Sequence, residues 1–224
     1  MYIVTIDGPS ASGKSTLAQL VADKLGIVHV NSGDGYRAIA YFMSNAGIPP
    51  TDMASIKKAL NSNKFEIKYE NGAQKTYING EDVTKHLHLN QVNAVVSAYA
   101  NQSPDVIYKA SDMVRGIASS MSVVIEGRNV GSFCFPEAKY KFYLDCDAYV
   151  RAKRRCKEME EKGQNVNFED IYKQTLQRDE LDKTREIAPL VVPKNSVLLD
   201  STDKTPEQVA DMIVAIILDS EKQK

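Results

Sequence analysis

Residues 8–15 read Gly8-Pro9-Ser10-Ala11-Ser12-Gly13-Lys14-Ser15 and fit the pattern G-x-x-x-x-G-K-[ST] at every fixed position. The chemistry this pattern serves is the capture of phosphate. Glycines let the backbone curl until successive N–H groups point inward at phosphate oxygens, and a helix starting there adds its positive dipole end. Lys14 is placed to bridge the β- and γ-phosphates, and the Ser15 hydroxyl to join the oxygen shell of Mg2+. Residues 8–16, Thr16 included, are therefore expected to bind a nucleoside triphosphate, with Ser15 as metal ligand.

A loop of this kind needs a strand before it and a helix after it. Tyr2 to Ile6 is a short apolar, β-branched run that predicts a buried strand. Ser15 to Leu25 carries Leu17, Leu20, Val21 and Leu25 at helical spacing, Gly26 stops it, and Ile27 to Val30 predicts a second strand. Strand, helix and strand in so few residues form a βαβ unit, hence a parallel sheet. Further strands are expected at Val123 to Ile125, Tyr140 to Leu144 and Val197 to Leu199, with helices between them. The last helix starts at Pro206 behind Thr205 as N-cap and runs to Leu218. The expected core is a five-stranded parallel sheet with helices on both faces.

Two stretches break this rhythm. Lys64 to Tyr69 and Lys75 to Ile78 alternate in the manner of strands around Asn71 and Gly72, and Asn79-Gly80 offers a second turn. This pattern predicts a small antiparallel insertion on the α/β core. In residues 151–186, 19 of 36 residues are charged, a density that predicts solvated helices rather than core.

Composition narrows the partners. The chain has 224 residues, enough for one large domain, with 28 Lys and Arg against 29 Asp and Glu. A net charge of −1 argues against a nucleic-acid coat or a membrane-surface protein. The longest apolar run, Met212 to Leu218, is far short of the roughly 20 residues a membrane helix needs. No signal peptide is expected, since the opening apolar stretch runs directly into Asp7 and Gly8. Cys134, Cys146 and Cys156 are read as free thiols in a reducing cytoplasm, and His29, His86 and His88 as structural or solvated.

The segment after the third strand of the predicted sheet indicates how the triphosphate is used. A guanine-reading Asn-Lys-x-Asp segment is absent from the sequence. Instead Glu126-Gly127-Arg128 puts an arginine at the strand end, where α/β sheets bind ligands. A second anionic ligand opposite the first suggests a kinase acting on a phosphate-bearing acceptor.

Several segments together resemble the bacterial cytidylate (CMP/dCMP) kinases. They are Ile6 to Pro9, Asn31-Ser32-Gly33-Asp34-Gly35-Tyr36-Arg37, Asn79 to Thr84, Glu126 to Gly131, and above all residues 178–190 from Arg178 to Leu190. The likeness is collinear from about Tyr2 to Leu218. It implies the P-loop nucleoside monophosphate kinase fold: one domain over 1–224, a β insertion at about 63–86 in the acceptor-binding region, and a helical lid at about 151–188. It further implies a cytoplasmic, monomeric enzyme using ATP and Mg2+ on a nucleoside monophosphate, without nucleic acid or membrane.

Roles carried over by the resemblance fall on individual residues. Arg37, Arg128 and Arg185 would hold the acceptor's phosphate, and Ser32 and Ser97 would line its pocket, Ser97 near the base. Arg178 and Asp182 would contact ribose and phosphate from the lid, and Arg154 would swing over the transferring phosphoryl group. With Lys14, the arginines 128, 154, 178 and 185 form the expected catalytic set. Asp7 is read as steadying the loop, and Tyr36 as core or contact.

The departures from the family pattern cluster. Asp is usual where this chain has Asn31, Glu126 and Asn129; an aliphatic pair is usual in place of Asp34-Gly35. An arginine that reads cytosine is general where this chain has Ile107, although a small slip in alignment brings Lys109 or Arg115 nearby. A carboxylate accepts from the 4-amino group of cytosine, whereas the amide of Asn129 can accept or donate. Asn129 thus joins the acceptor-binding set, and a shift toward UMP or dUMP stands as the alternative to CMP and dCMP. Two other readings are a kinase of another small anionic metabolite and a non-catalytic nucleotide-binding protein.

Overall fold

The structure is a computed structural model and describes residues 1–161 and 163–222. Of the expected lid, Lys162 lies outside the described residues. Contacts divide the chain into two units, one of residues 30–122 with Met1 and one of residues 2–29 with 123 onward.

The second unit holds the phosphate loop. Strand β1 (Ile3–Asp7) is almost wholly buried, as its continuous apolar character requires of a central parallel strand. Helix α1 (Lys14–Leu25) comes after the loop, and Gly26 closes it in the left-handed conformation at φ 64°. Strand β2 (Val28–Asn31) begins in this unit. After the other unit come β6 (Val123–Gly127), β7 (Tyr140–Asp145), α6 (Ala148–Glu161), α7 (Phe168–Thr184), β8 (Val197–Asp200) and α8 (Pro206–Lys222). The strand order is β2-β6-β1-β7-β8, with β1 parallel to β6 and β7, and β7 parallel to β8. The predicted strands of this sheet are all present, to within a residue or two of their expected bounds. Helices α1 and α8 share one core with it, built from residues such as Val4, Ile6, Leu17, Phe142, Leu144 and Ile213. At the start of α8, Thr205 and Gln208 bond each other's backbone N–H, a reciprocal cap that fixes where the helix begins. Because the strands are parallel, Asp7, Gly127, Asp145 and Asp200 end at one edge of the sheet.

The charged segment departs from expectation. It does form two helices, but they bury a small core of Ala152, Cys156 and Ile171 and, with it, Arg151, Asp179 and Asp182. High charge density here includes buried ion pairs, not only a solvated face.

In the first unit, α2 (Gly33–Asn45) and α3 (Met53–Ser62) precede a meander of β3 (Phe65–Glu70), β4 (Ala73–Ile78) and β5 (Glu81–Asp82). Asn71 and Gly72 both take positive φ between paired Glu70 and Ala73, the two-residue turn whose twist matches the strands. Helices α4 (Asn90–Gln102) and α5 (Pro104–Ala118) complete the unit. Gly35 of α2 rests on Ala110 of α5, where a Cβ would stand 3.5 Å from its Cα, Cβ and carbonyl oxygen. A Cβ at 35 would thus meet Ala110 in ordinary van der Waals contact, leaving little room for a longer side chain on that side. Among the described residues, no helix is long and apolar enough to cross a membrane.

Candidate active site

The phosphate loop is held open by two devices. Gly8 crosses β7 so closely that a Cβ would lie 2.2 Å from the Leu144 carbonyl oxygen, so only glycine fits. Arg151 on α6 donates to the Ser10 carbonyl at 3.1 Å and grips Asp179 of α7 with two bonds of 3.1 and 2.5 Å. Its Nε donates to the Cys146 carbonyl at 2.9 Å, which leaves the buried guanidinium well satisfied. Arg151 is not among the residues expected from sequence. Its signal was a charged residue next to Ala152, beside the apolar stripe that Ala152 and Cys156 form at helical spacing.

Lys14 is buried and folded back onto the loop, bonding the Pro9 carbonyl at 2.6 Å and Ser12 Oγ at 3.3 Å. Burial, and after it the charge of Arg128, lowers its pKa to about 7, against the pull of Glu126, Asp7 and Asp182. An ammonium so desolvated is short of negative charge, which a triphosphate supplies. Ser15 is exposed, and its side chain is near enough to Glu126, a carboxylate only 4% exposed at the end of β6, to favour the ionised form. Burial pushes the Glu126 pKa up, yet contacts with His29, Lys14 and Ser15 bring it below the usual value.

Asp7, whose charge acts on Lys14, spends its hydrogen bonds outside the phosphate loop. Its two oxygens accept the N–H groups of Val130 and Gly131, each at 2.7 Å, so it steadies the turn after Arg128 and Asn129. That turn is a π-helical segment, Val130–Cys134, opened by the Asn129 carbonyl. Burial pushes the Asp7 carboxyl up to about 6, although those N–H groups, Lys14 and Arg128 oppose it. The unfolded chain therefore ionises first as pH rises, and the native state loses stability, by about 3 kcal/mol over two pH units. Against an Asp7→Asn variant, the native chain should lose that advantage between about pH 4 and 7 in urea unfolding. A constant difference across that range would show that the carboxyl is not raised.

Beyond β6, Arg128 is ion-paired through Nε to Asp182 of α7. Asp182 is buried, which raises its pKa, but Arg128, Arg178 and Arg185 together hold it below the ordinary value. Three guanidinium groups thus act on one carboxylate. Arg185 also donates to the Ala188 carbonyl at 2.6 Å, while its buried Nη2 has no hydrogen-bond partner. Arg154 stands apart from this cluster, donating to the Ser201 carbonyl at 2.8 Å and to Cys146 Sγ at 3.3 Å. An open cleft of about 560 Å³ is lined by Asp145, Cys146, Arg151, Asp179, Asp200 and Thr202.

The remaining expected residues fall in the other unit. Arg37 donates from Nε to Asn93 at 3.3 Å and lies 3.8 Å from Asp34. Asp34 in turn accepts from Gln74 at 3.0 Å and faces His88 at 3.2 Å. Asn31 Oδ1 accepts the Gly33 N–H at 2.9 Å, a task Asp performs equally well, so that departure leaves local structure unchanged. Ser32 is buried, Ser97 and Tyr36 are half-buried, and Ile107 belongs to the core. Of the cations near Ile107 in sequence, Lys109 lies over the Phe65 ring and Arg115 pairs with Asp112. His86 stacks on Tyr41, and all three cysteines are buried thiols outside any disulfide.

The profile of the family described as Cytidylate kinase matches residues 4–219. A cytidylate kinase of Clostridium botulinum is 36% identical over 214 residues, covering 96% of each chain. Those of Clostridium tetani and Caldicellulosiruptor saccharolyticus are 34% identical, covering 96% and 95% of this chain and 93% and 94% of theirs. Among solved structures, a shikimate kinase from Bacteroides thetaiotaomicron aligns with a TM-score of 0.49 at 12% identity, over 99% of this chain and 98% of that one. The loop, the arginines and the near full-length match agree: the chain belongs to the cytidylate kinase family, a family of nucleoside monophosphate kinases.

Proposed function

We propose that the chain transfers the γ-phosphoryl group of ATP to a pyrimidine nucleoside monophosphate, CMP or dCMP foremost, giving the diphosphate. The observation that carries this reading is the grouping of Arg128, Arg178 and Arg185 around Asp182, a cluster of cations suited to a doubly charged phosphate. Planar guanidinium forks grip phosphate bidentately, so three of them fix its direction as well as its charge. The acceptor phosphate is already a competent nucleophile, and the enzyme's task is positioning and charge neutralisation. Lys14 would turn from Pro9 and Ser12 to the transferring phosphate, with Arg154 joining it there. The cleft along Asp145, Arg151 and Asp200 has the size of a nucleoside pocket and suits the donor's nucleoside.

Ser15 and Glu126 offer the hard oxygen donors Mg2+ takes, one hydroxyl and one buried carboxylate near it, and the pair fits the ion. When bound with ATP, the ion neutralises phosphate charge. In the other unit, Arg37 would bind acceptor phosphate and Ser32 and Ser97 the nucleoside. Buried thiols outside any disulfide favour a reducing cytoplasm, where the enzyme would act as a monomer.

A second acceptor reading rests on Ile107 and Asn129. With an apolar core residue in place of a base-reading arginine, and an amide in place of a carboxylate, the pocket discriminates less against uracil. A steady-state series of CMP, dCMP, UMP, dUMP, AMP and GMP with ATP and Mg2+ tests both. Cytidylates are expected to head the series, with uridylates within about 10²-fold in kcat/KM and purines lower still. Negligible uridylate turnover would remove the second reading. If no monophosphate raises ADP release above background, the kinase reading fails.

A further inference from the structure

Gln74 lies half-buried on β4 of the antiparallel insertion, and its side-chain amide makes three hydrogen bonds. Oε1 accepts the backbone N–H of Asn31 at 2.8 Å. Nε2 donates one hydrogen to the Asn31 carbonyl at 3.2 Å and the other to Asp34 Oδ2 at 3.0 Å. Only one orientation of the amide allows this, because turning it over would set its NH2 against an N–H and its oxygen against two oxygens. Toward Asn31 the amide acts as a residue of a neighbouring antiparallel strand does, meeting both backbone groups at once. Toward α2 it needs an acceptor, which the buried Asp34 supplies. The aliphatic residue usual there in the family offers none.

The two points that Gln74 holds, Asn31 and Asp34, bracket Ser32 and Gly33. Gly33 is where the Arg37 guanidinium rests: a Cβ there would stand 2.4 Å from Arg37 Nη1 and 2.9 Å from Asn31 Oδ1. Asp34 Oδ1 lies 3.8 Å from the same Nη1, and Arg37 Nε donates to Asn93 at 3.3 Å. The seat of Arg37 is thus built from the turn that the amide fixes. A long side chain loses much rotamer freedom when it is ordered, and a seat formed beforehand lessens that loss at the moment of binding. We propose that Gln74 is a positioning residue for the acceptor: by fixing the β2–α2 turn through Asn31 and Asp34, it presets Arg37 for the acceptor's phosphate. The inference rests on the kinase reading above and deepens it at the acceptor site.

Initial rates with CMP and ATP varied in turn, on the native chain and its variants, test the idea. Gln74→Ala should raise KM for CMP about tenfold, with kcat and KM for ATP within about twofold of native. That split is expected when the acceptor is held less well in ground state and transition state alike. In an Arg37→Ala background the same change should lower kcat/KM for CMP by less than about twofold, because Gln74 acts through the arginine. Gln74→Glu should do more harm than Gln74→Ala, since it turns an acceptor-only carboxylate toward Asp34 and the Asn31 carbonyl. Adding Asp34→Asn to it supplies a donor again and should return kcat/KM at least to the level of Gln74→Ala. This pair carries the test even where the alanine variant unfolds, which a melting curve shows. Losses that fall equally on CMP and ATP, effects of Gln74 and Arg37 that multiply, or no recovery on adding Asp34→Asn would overturn the proposal. If the native chain phosphorylates no nucleoside monophosphate, it is the kinase reading that fails.

Discussion

Lys14→Met lowers turnover by about 10³-fold while the protein stays folded, the loss expected when a preorganised charge is removed from a transition state. Methionine matches the length of the lysine stem and leaves the loop's own supports in place. Gly8 still passes under Leu144, and Arg151 still holds the Ser10 carbonyl. The ammonium in the free protein is stabilised by Pro9 and Ser12 but loses water by burial, which is why its pKa falls to about 7. Removing it therefore costs the fold little, and thermal unfolding is expected within a few degrees of the native chain. The effect appears in the reaction because charge moves onto the oxygens of the transferring group, where no other side chain of the loop carries a positive charge. A coupled ADP-release assay beside a melting curve separates the two. Turnover within about tenfold of native would rule out the lysine as the main source of stabilisation.

How much of the fold and site was legible in the sequence depends on the range of the forces involved. The loop, its flanking strand and helix, and the hairpin at Asn71-Gly72 depend on neighbours in sequence, and each formed within a residue or two of its expected bounds. Arg128, Arg178 and Arg185 came from a resemblance, and their grouping around Asp182 depends on how β6 and α7 meet, which no local pattern encodes. Asp7 shows the difference well. Its position at a strand end was plain, but its partners, Val130 and Gly131, lie more than 120 residues away and are reached only because β1 pairs with β6. The charged stretch misled for the opposite reason. Net density says "solvent", whereas the periodicity Ile171, Thr175, Asp179, Asp182 places two acids on the buried face of α7. A charge on an apolar stripe is a better indicator of a buried pair than a charge count is.

Asp179→Asn should unfold this protein far more easily, because it strands a buried cation. Arg151 is only 4% exposed and Asp179 10%, so water cannot substitute for the lost carboxylate. The asparagine keeps the shape but loses the charge, and removing one partner of a buried pair costs about 3–5 kcal/mol. For a chain of this size that is a fall of roughly 6–20 °C in Tm. Arg151→Met combined with Asp179→Leu should recover most of the loss, since an apolar pair of similar volume is often as stable as the ions it replaces. Activity should not recover with it. The methionine cannot donate to the Ser10 carbonyl, so the bond that ties α6 to the phosphate loop is missing from the double variant. Stability restored with turnover still reduced would assign the Arg151–Asp179 pair to loop positioning. Stability unaffected by Asp179→Asn would mean that the pair is solvated, and the tie between loop and helices would lose its energetic basis.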